Sequence, residues 1–147
     1  MIVIDANLLL YAYSTAAPEH RRARGWVEEV FSGEALVGLP WLSVAAFIRV
    51  LSNANLHGER FTVIELVEIV ERWIGSSNVR LLSPGERHRA LFQEMLLKSQ
   101  ARGPMTTDAE LAALTIEYGG VLYTTDRDFS RFPGLRWKNP LISGGCQ

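Results

Sequence analysis

The chain contains only four aspartates, Asp5, Asp108, Asp126 and Asp128, against twelve glutamates. All four fall where elements are expected to begin or end. Asp5 closes the apolar run Ile2-Val3-Ile4, Asp126 and Asp128 follow Val121-Leu122-Tyr123, and Asp108 opens a helical pattern. A parallel sheet would gather such carboxylates at one edge. Two carboxylates about 4 Å apart repel by roughly 4 kcal/mol at an effective dielectric near 20, so a cluster needs protonation, a neighbouring cation or a bound metal. The only lysines are Lys98 and Lys138, and neither is placed to answer that need. Short Asp oxygens suit Mg²⁺ or Mn²⁺, which keep several waters and bind through few carboxylates. Taken singly, each aspartate has a structural explanation at a helix N-terminus or turn. The four together carry the chemical reading.

The elements that must position these acids alternate along the chain. Ile2-Val3-Ile4 reads as a strand. Ala23, Trp26, Val27, Val30 and Phe31 keep the spacing of one helix face, with Gly33 to end it. Ala35 to Leu39 reads as a buried strand and Pro40 to about Asn53 as a helix. Thr62-Val63-Ile64-Glu65 has the form of a capping box, and Val63, Leu66, Val67, Val70, Trp73 and Ile74 are expected on the inner face of the helix it starts, with Gly75 as its stop. Val79 to Leu82 is a third strand. Ser83-Pro84-Gly85-Glu86 reads as the start of a helix to about Ala101, ended by Gly103-Pro104. Thr107-Asp108-Ala109-Glu110 repeats the capping-box form and leads to Gly119-Gly120, followed by a strand from Val121 to Thr124, a short acid-bearing turn or helix through Phe132, and a strand-like Leu135-Arg136-Trp137. This alternation implies an α/β fold of three layers, α/β/α, around a central, mainly parallel sheet. Ligands of such sheets bind outside the carboxyl ends of the strands, which is where Asp5 and Asp126 stand. Asp108 must arrive there by its helix N-terminus.

At 147 residues, with no repeat or long linker, residues 1–147 are expected to form a single domain. The lone Cys146 has no intrachain partner and there is no Cys/His spacing for zinc, so a reducing, cytoplasmic setting is expected. The apolar stretch from Ala35 to Ile48 is too short and interrupted to span a bilayer, and no basic segment precedes the first strand as in a signal peptide. A net charge of −1 gives no global attraction to nucleic acid. His20, His57 and His88 share no motif and read as surface or cap residues, and no serine or cysteine nucleophile with a base is recognisable. Trp26, Trp41, Trp73 and Trp137 read as packing residues rather than stacking platforms. Arg127 and Arg131 flank the acid turn, and two readings stand for them: contact with RNA phosphates, or pairing with the aspartates.

Three segments carry a resemblance. Ile2-Val3-Ile4-Asp5-Ala6-Asn7, Thr107-Asp108-Ala109-Glu110-Leu111-Ala112-Ala113-Leu114, and Tyr123-Thr124-Thr125-Asp126-Arg127-Asp128-Phe129 with Phe132-Pro133-Gly134-Leu135 resemble the PIN-domain nucleases in order and spacing. Trp41, Phe47-Ile48-Arg49-Val50 and Arg136-Trp137-Lys138-Asn139-Pro140-Leu141 are similar to the VapC-type toxins of bacterial toxin-antitoxin pairs, especially the mycobacterial branch. The resemblance implies a Mg²⁺- or Mn²⁺-dependent endoribonuclease that cuts cellular RNA, often tRNA or ribosomal RNA, and is held inactive by a cognate antitoxin. It implies Asp5 and Asp108 as metal ligands, Asp126 as the acid completing the catalytic pocket and its metal set, Asp128 in support, and Asn7 and Thr125 as orienting groups. The helices from Ala23 and Val63 are rich in Trp, Val and Ile, which two readings explain, ordinary core packing and a protein-binding groove or homodimer face; the resemblance implies an antitoxin segment in such a groove, with an antitoxin Arg or Lys reaching the acids.

One departure bears on mechanism. Where many PIN domains carry a glutamate in the helix after the second strand, this chain has Ala46, which leaves the pocket one acid short and lowers the expected affinity for a second metal. Glu110 is better read as the capping-box partner than as a substitute. Two rivals follow. A phosphatase of similar topology would use Asp5 but needs a lysine near the late strand and a second acid where Asn7 stands, and neither is present. A catalytically weakened RNA- or protein-binding module is kept open by Ala46.

Overall fold

The computed structural model describes residues 1–53 and 61–142; His57 and Cys146 lie outside them. Five strands, β1 (Ile2–Ile4), β2 (Val37–Pro40), β3 (Val79–Leu82), β4 (Val121–Tyr123) and β5 (Trp137–Lys138), form one sheet in the order β3-β2-β1-β4-β5. Every neighbouring pair is parallel. Among the described residues six helices connect them: α1 (Ala6–Tyr13), α2 (His20–Phe31), α3 (Trp41–Leu51), α4 (Val63–Ile74), α5 (His88–Ser99) and α6 (Met105–Glu117). A 3-10 helix, Arg127–Arg131, follows β4. The α/β/α architecture expected from the sequence is the one observed.

Side-chain alternation along β1 explains the layers. Val3 points into a cluster with Leu82, Leu122, Met95 and Phe129 beneath α5 and α6, whereas Ile4 points the other way, into a cluster with Leu8, Leu39, Phe47 and Trp73 beneath α1 to α4. The second cluster is organised by aromatics. Trp73 lies parallel to Phe31, with centroids 5.4 Å apart, and is tilted against Phe47 at 4.8 Å.

Helix α4 has the capping box read from Thr62 and Glu65, with both reciprocal hydrogen bonds formed. Its buried stripe is Leu66, Ile69, Val70 and Trp73. Val63 and Val67, expected inside, are exposed, because one lies in the first turn and the other on the flank of the stripe. The second capping box does not form. Helix α6 begins earlier, at Met105 with Pro104 as its N-cap, so Thr107 already lies within the helix and Glu110 is free to face His88, 3.7 Å away. Helix α5 likewise starts at His88 rather than at Ser83-Pro84, and Glu117 of α6 accepts from the backbone N–H groups of Gly85 and Arg87 at 3.0 Å each. Helix α1 was not anticipated. At the far end of α6, Gly119 takes φ +65°, while at Gly120 a Cβ would come within 2.7 Å of Val3, so these adjacent glycines serve a turn and a close approach.

Among the described residues no helix is long and apolar enough to cross a membrane. Truncating the aromatic hub by Trp73→Ala is expected to lower unfolding free energy by about 3–5 kcal/mol. Gly25→Ala, in the interior of α2 where a Cβ meets nothing within 4 Å, should raise it by roughly 0.5–1 kcal/mol. Urea denaturation of the two variants checks both signs.

Candidate active site

The strand order reverses between β1 and β4: the chain leaves β1 towards β2 on one side, and β4 later fills the other. A crevice opens at the carboxyl ends of strands at such a switch point. The register pairs Ile4 with Tyr123, so the next residues, Asp5 and Thr124, come level. Asp5 N–H donates to Tyr123 O at 3.0 Å, and Thr124 Oγ1 donates to Asp5 Oδ2 at 2.7 Å. The same hydroxyl oxygen accepts from Asp126 N–H at 3.0 Å. One fully buried threonine therefore ties the Asp5 side chain to the Asp126 backbone. The hydroxyl that meets Asp5 is that of Thr124; Thr125, the threonine singled out in the sequence, stands half-buried one position on.

Asp108 enters from α6. Lying in the first turn, it lines one small cavity of about 50 Å³ together with Asp5, Ser43, Ala46 and Thr107. Ser43 is fixed below by donating to Ile4 O at 2.7 Å. Ala46 lines the same cavity as the two acids.

The electrostatics follow from this crowding. Burial pushes the Asp5 carboxyl up from 3.8 to about 6; the Thr124 and Ala6 hydrogen bonds oppose the rise, and Asp108 and Asp126 add to it. Asp108 is also raised to about 6, first by desolvation and then by the charges of Asp126 and Asp128. Asp126 caps the 3-10 helix, its Oδ1 accepting from Asp128 N–H at 2.9 Å. All four aspartates therefore belong to one electrostatic group. Asn7 Oδ1, two residues beyond Asp5, is buried and makes no hydrogen bond. An acceptor so placed is costly unless something donates to it.

The donor set fits a hard divalent cation in kind: hard oxygen ligands, two of them with raised proton affinity in one cavity. As the side chains stand, no group of three or more His, Cys, Asp or Glu among the described residues is gathered so as to hold a metal ion. Arg127 and Arg131 are exposed, and among the described residues neither forms an ion pair with an aspartate; Arg131 instead donates to Met105 Sδ at 3.3 Å. Two other readings need correction. His88 is no surface residue, since its side chain is 12% exposed between Glu110 and Glu117. Trp41 is no packing residue, being 50% exposed, whereas Trp26 stacks on Tyr123 and Trp73 is buried.

Comparison with known proteins bears on the family and the fold. The family model described as the PIN domain matches residues 2–135. Ribonuclease VapC33 of Mycobacterium tuberculosis is 36% identical over 141 residues, covering 96% of this chain and 99% of that protein. Ribonuclease VapC43 of the same species is 33% identical over 141 residues, covering 96% of each. Among solved structures, VapBC2 from Rickettsia felis, bound to a DNA fragment from the promoter, superposes with a TM-score of 0.68 at 15% identity, covering 95% of this chain and 98% of that one. VapC20 of M. tuberculosis, described as a sarcin-ricin loop cleaving toxin, gives 0.66 at 19%, covering 92% and 99%. At those identities the two structures speak for the fold.

The raised carboxyls make metal-free stability depend on pH. Asp5 and Asp108 each bind a proton more tightly folded than unfolded, so their stabilising contribution is fully present below about 3.8 and is lost as pH rises through about 6. Asp5→Asn and Asp108→Asn, which keep shape and remove charge, are each expected to raise the thermal midpoint in chelator by roughly 2–6 °C at about pH 7.5. That advantage should shrink towards about pH 4. Differential scanning calorimetry across that range checks it.

Proposed function

The chain belongs to the PIN-domain family and, within it, to the VapC ribonucleases, and from that premise we propose that residues 1–147 form a single metal-dependent endoribonuclease domain, the toxin of a type II toxin-antitoxin pair. The observation that carries the proposal is the convergence of Asp5 and Asp108 on one small cavity, coupled to Asp126 and braced by Thr124.

In this reading Asp5, Asp108 and Asp126 hold Mg²⁺ or Mn²⁺, with Asp128 supporting through waters. A divalent cation bound there supplies an acidified water and offsets charge on the phosphate being cut. The chain's own residues set the conditions for that chemistry. Thr124 and the Ala6 backbone N–H orient the Asp5 carboxylate. Asn7, in the first turn of α1 two residues beyond Asp5, is given the role of an orienting group. Thr125 borders the acid loop, and Arg127 and Arg131, unpaired with the aspartates, stand in solvent beside the pocket where RNA phosphates would pass. The substrate is RNA, with loops of tRNA or ribosomal RNA as the expected class.

Ala46 bears on the number of cations. A wall without the usual glutamate favours one cation held firmly and a second only with substrate phosphate present. The same residue supports a second reading, a weakened module that binds RNA or protein without cutting.

A cognate antitoxin is the expected partner. A groove of about 440 Å³ between α1, α2 and α4, lined by Tyr13, Arg24, Val27, Phe31, Arg72 and Trp73, suits an antitoxin segment, and α4 exposes Val63, Ile64 and Val67. A homodimer is also expected.

Purified protein should cut cellular RNA only with Mg²⁺ or Mn²⁺, and Asp5→Asn and Asp108→Asn should each lower the rate at least about 100-fold while the fold persists. Wild type that binds RNA but leaves it intact across metals would favour the module instead. Because ligands must be deprotonated, cation affinity should fall as pH drops through about 6, where Asp5 and Asp108 take up protons. Ala46→Glu should tighten Mn²⁺ binding by roughly tenfold, read by calorimetry. An unchanged affinity would contradict the placement of Ala46 on the cavity wall.

A further inference from the structure

Beside the acid cavity lies a second one of about 300 Å³, whose walls are mostly apolar and include Trp41, Leu42, Leu82 and Leu114, with His88 and Glu110 as its polar groups. The two cavities adjoin. Leu42 lines both, α3 turns Ala45 to one and Ala46 to the other, and α6 offers Glu110 to one and Asp108 to the other. Whatever occupies the second is a direct neighbour of a group held by the acids.

Resting on the nuclease reading above, we infer that this cavity is a base subsite, in which an unpaired nucleobase next to the scissile phosphate stacks on Trp41 and turns its edge to His88 and Glu110.

Three features select a base over other occupants. Trp41 begins α3 with half its surface open, and an exposed indole face is the usual platform for a splayed-out base of single-stranded RNA. Phosphate is disfavoured, because the polar side of the pocket is acidic: Glu110 lines it and Glu117 stands behind His88. A purely aliphatic side chain is a poorer match, because the polar pair retains hydrogen-bonding capacity. His88 Nε2 is 3.7 Å from Glu110 Oε1 and Nδ1 is 3.8 Å from Glu117 Oε1, both too long for a hydrogen bond. Nδ1 is buried with no hydrogen-bond partner among the described residues. The imidazole is held in place by stacking on Phe92, with ring centroids 5.8 Å apart. A carboxylate acceptor favours bases that carry an exocyclic amino group. Apolar walls with few convergent polar groups are the general form of a small-ligand site.

The test uses Asp5→Asn protein, which binds without cutting on the nuclease reading, and an unstructured RNA of roughly ten nucleotides, with single abasic substitutions walked along it. Fluorescence anisotropy reports affinity in Mg²⁺. One abasic position should weaken binding roughly 5- to 100-fold, and Trp41→Ala should cost a similar factor on intact RNA while adding nothing further at that position. Trp41→Phe should retain most of the affinity, and Glu110→Gln should alter the preference among bases at that position alone. Equal losses at all abasic positions, or losses that multiply with Trp41→Ala, would overturn the subsite. So would a Trp41→Ala protein that binds RNA normally but changes sedimentation, which would make this face a contact between copies of the chain. The abasic scan needs no Trp41 variant, so it decides the matter even if that variant folds poorly. Wild type that cuts no RNA while Trp41-dependent base binding persists would defeat the nuclease reading and leave the subsite standing.

Discussion

Carboxylates brought from the end of β1, the first turn of α6 and the loop after β4 repel one another in a hollow from which much of the water has been excluded. The rest of the structure is arranged around sustaining that repulsion. Parallel pairing of β1 with β4 brings Asp5 level with Thr124. The buried Thr124 hydroxyl then donates its proton to the Asp5 carboxylate and accepts the Asp126 backbone N–H on its oxygen. Only a rigid sheet edge can hold like charges so close, because flexible loops would let them relax apart. The raised proton affinities of Asp5 and Asp108 record first their burial and then this repulsion. A cation removes that repulsion, so stored electrostatic energy and metal affinity are two views of one interaction.

The same arrangement explains why the two cavities are adjacent but chemically opposite. Helix α3 begins directly after β2, at the sheet edge, and its first turns face both hollows. Ser43 and Ala46 close the acid cavity while Trp41 and Ala45 open onto the apolar one. Helix α6 does likewise with Asp108 and Glu110. Two helices therefore divide the sheet edge into a compartment for charge and a compartment for an aromatic surface, and a nucleotide carries both chemistries.

Much of this was legible in the sequence, and the failures share a cause. Asp5 and Asp126 could be placed because short apolar runs followed by an acid define strand ends, and the α/β alternation defines the edge at which those ends meet. Helix α1 was missed because Ala6–Tyr13 is apolar almost throughout, has no side-chain cap and has no charge in its end turns, so no amphipathic period marks it. The capping boxes at Thr62 and Thr107 have the same spacing in sequence, but only Thr62 stands at a helix start, because α6 already begins at Met105 after Pro104. Whether Thr124 or Thr125 meets Asp5 depends on strand register, which two adjacent threonines do not reveal. The burial of His88 between Glu110 and Glu117, and the exposure of Trp41, arise from the packing of α5 and α6 against the sheet edge, contacts that local periodicity cannot encode.

The central claim is that these acids hold protons they would surrender to a divalent cation. Calorimetric titration of Mn²⁺ into the metal-free protein, repeated in buffers of different ionisation enthalpy, counts the protons released on binding. With Asp5 and Asp108 each raised to about 6, the account predicts release on the order of one proton per ion near pH 6, falling towards zero near pH 8. Binding that releases no protons at either pH would contradict it.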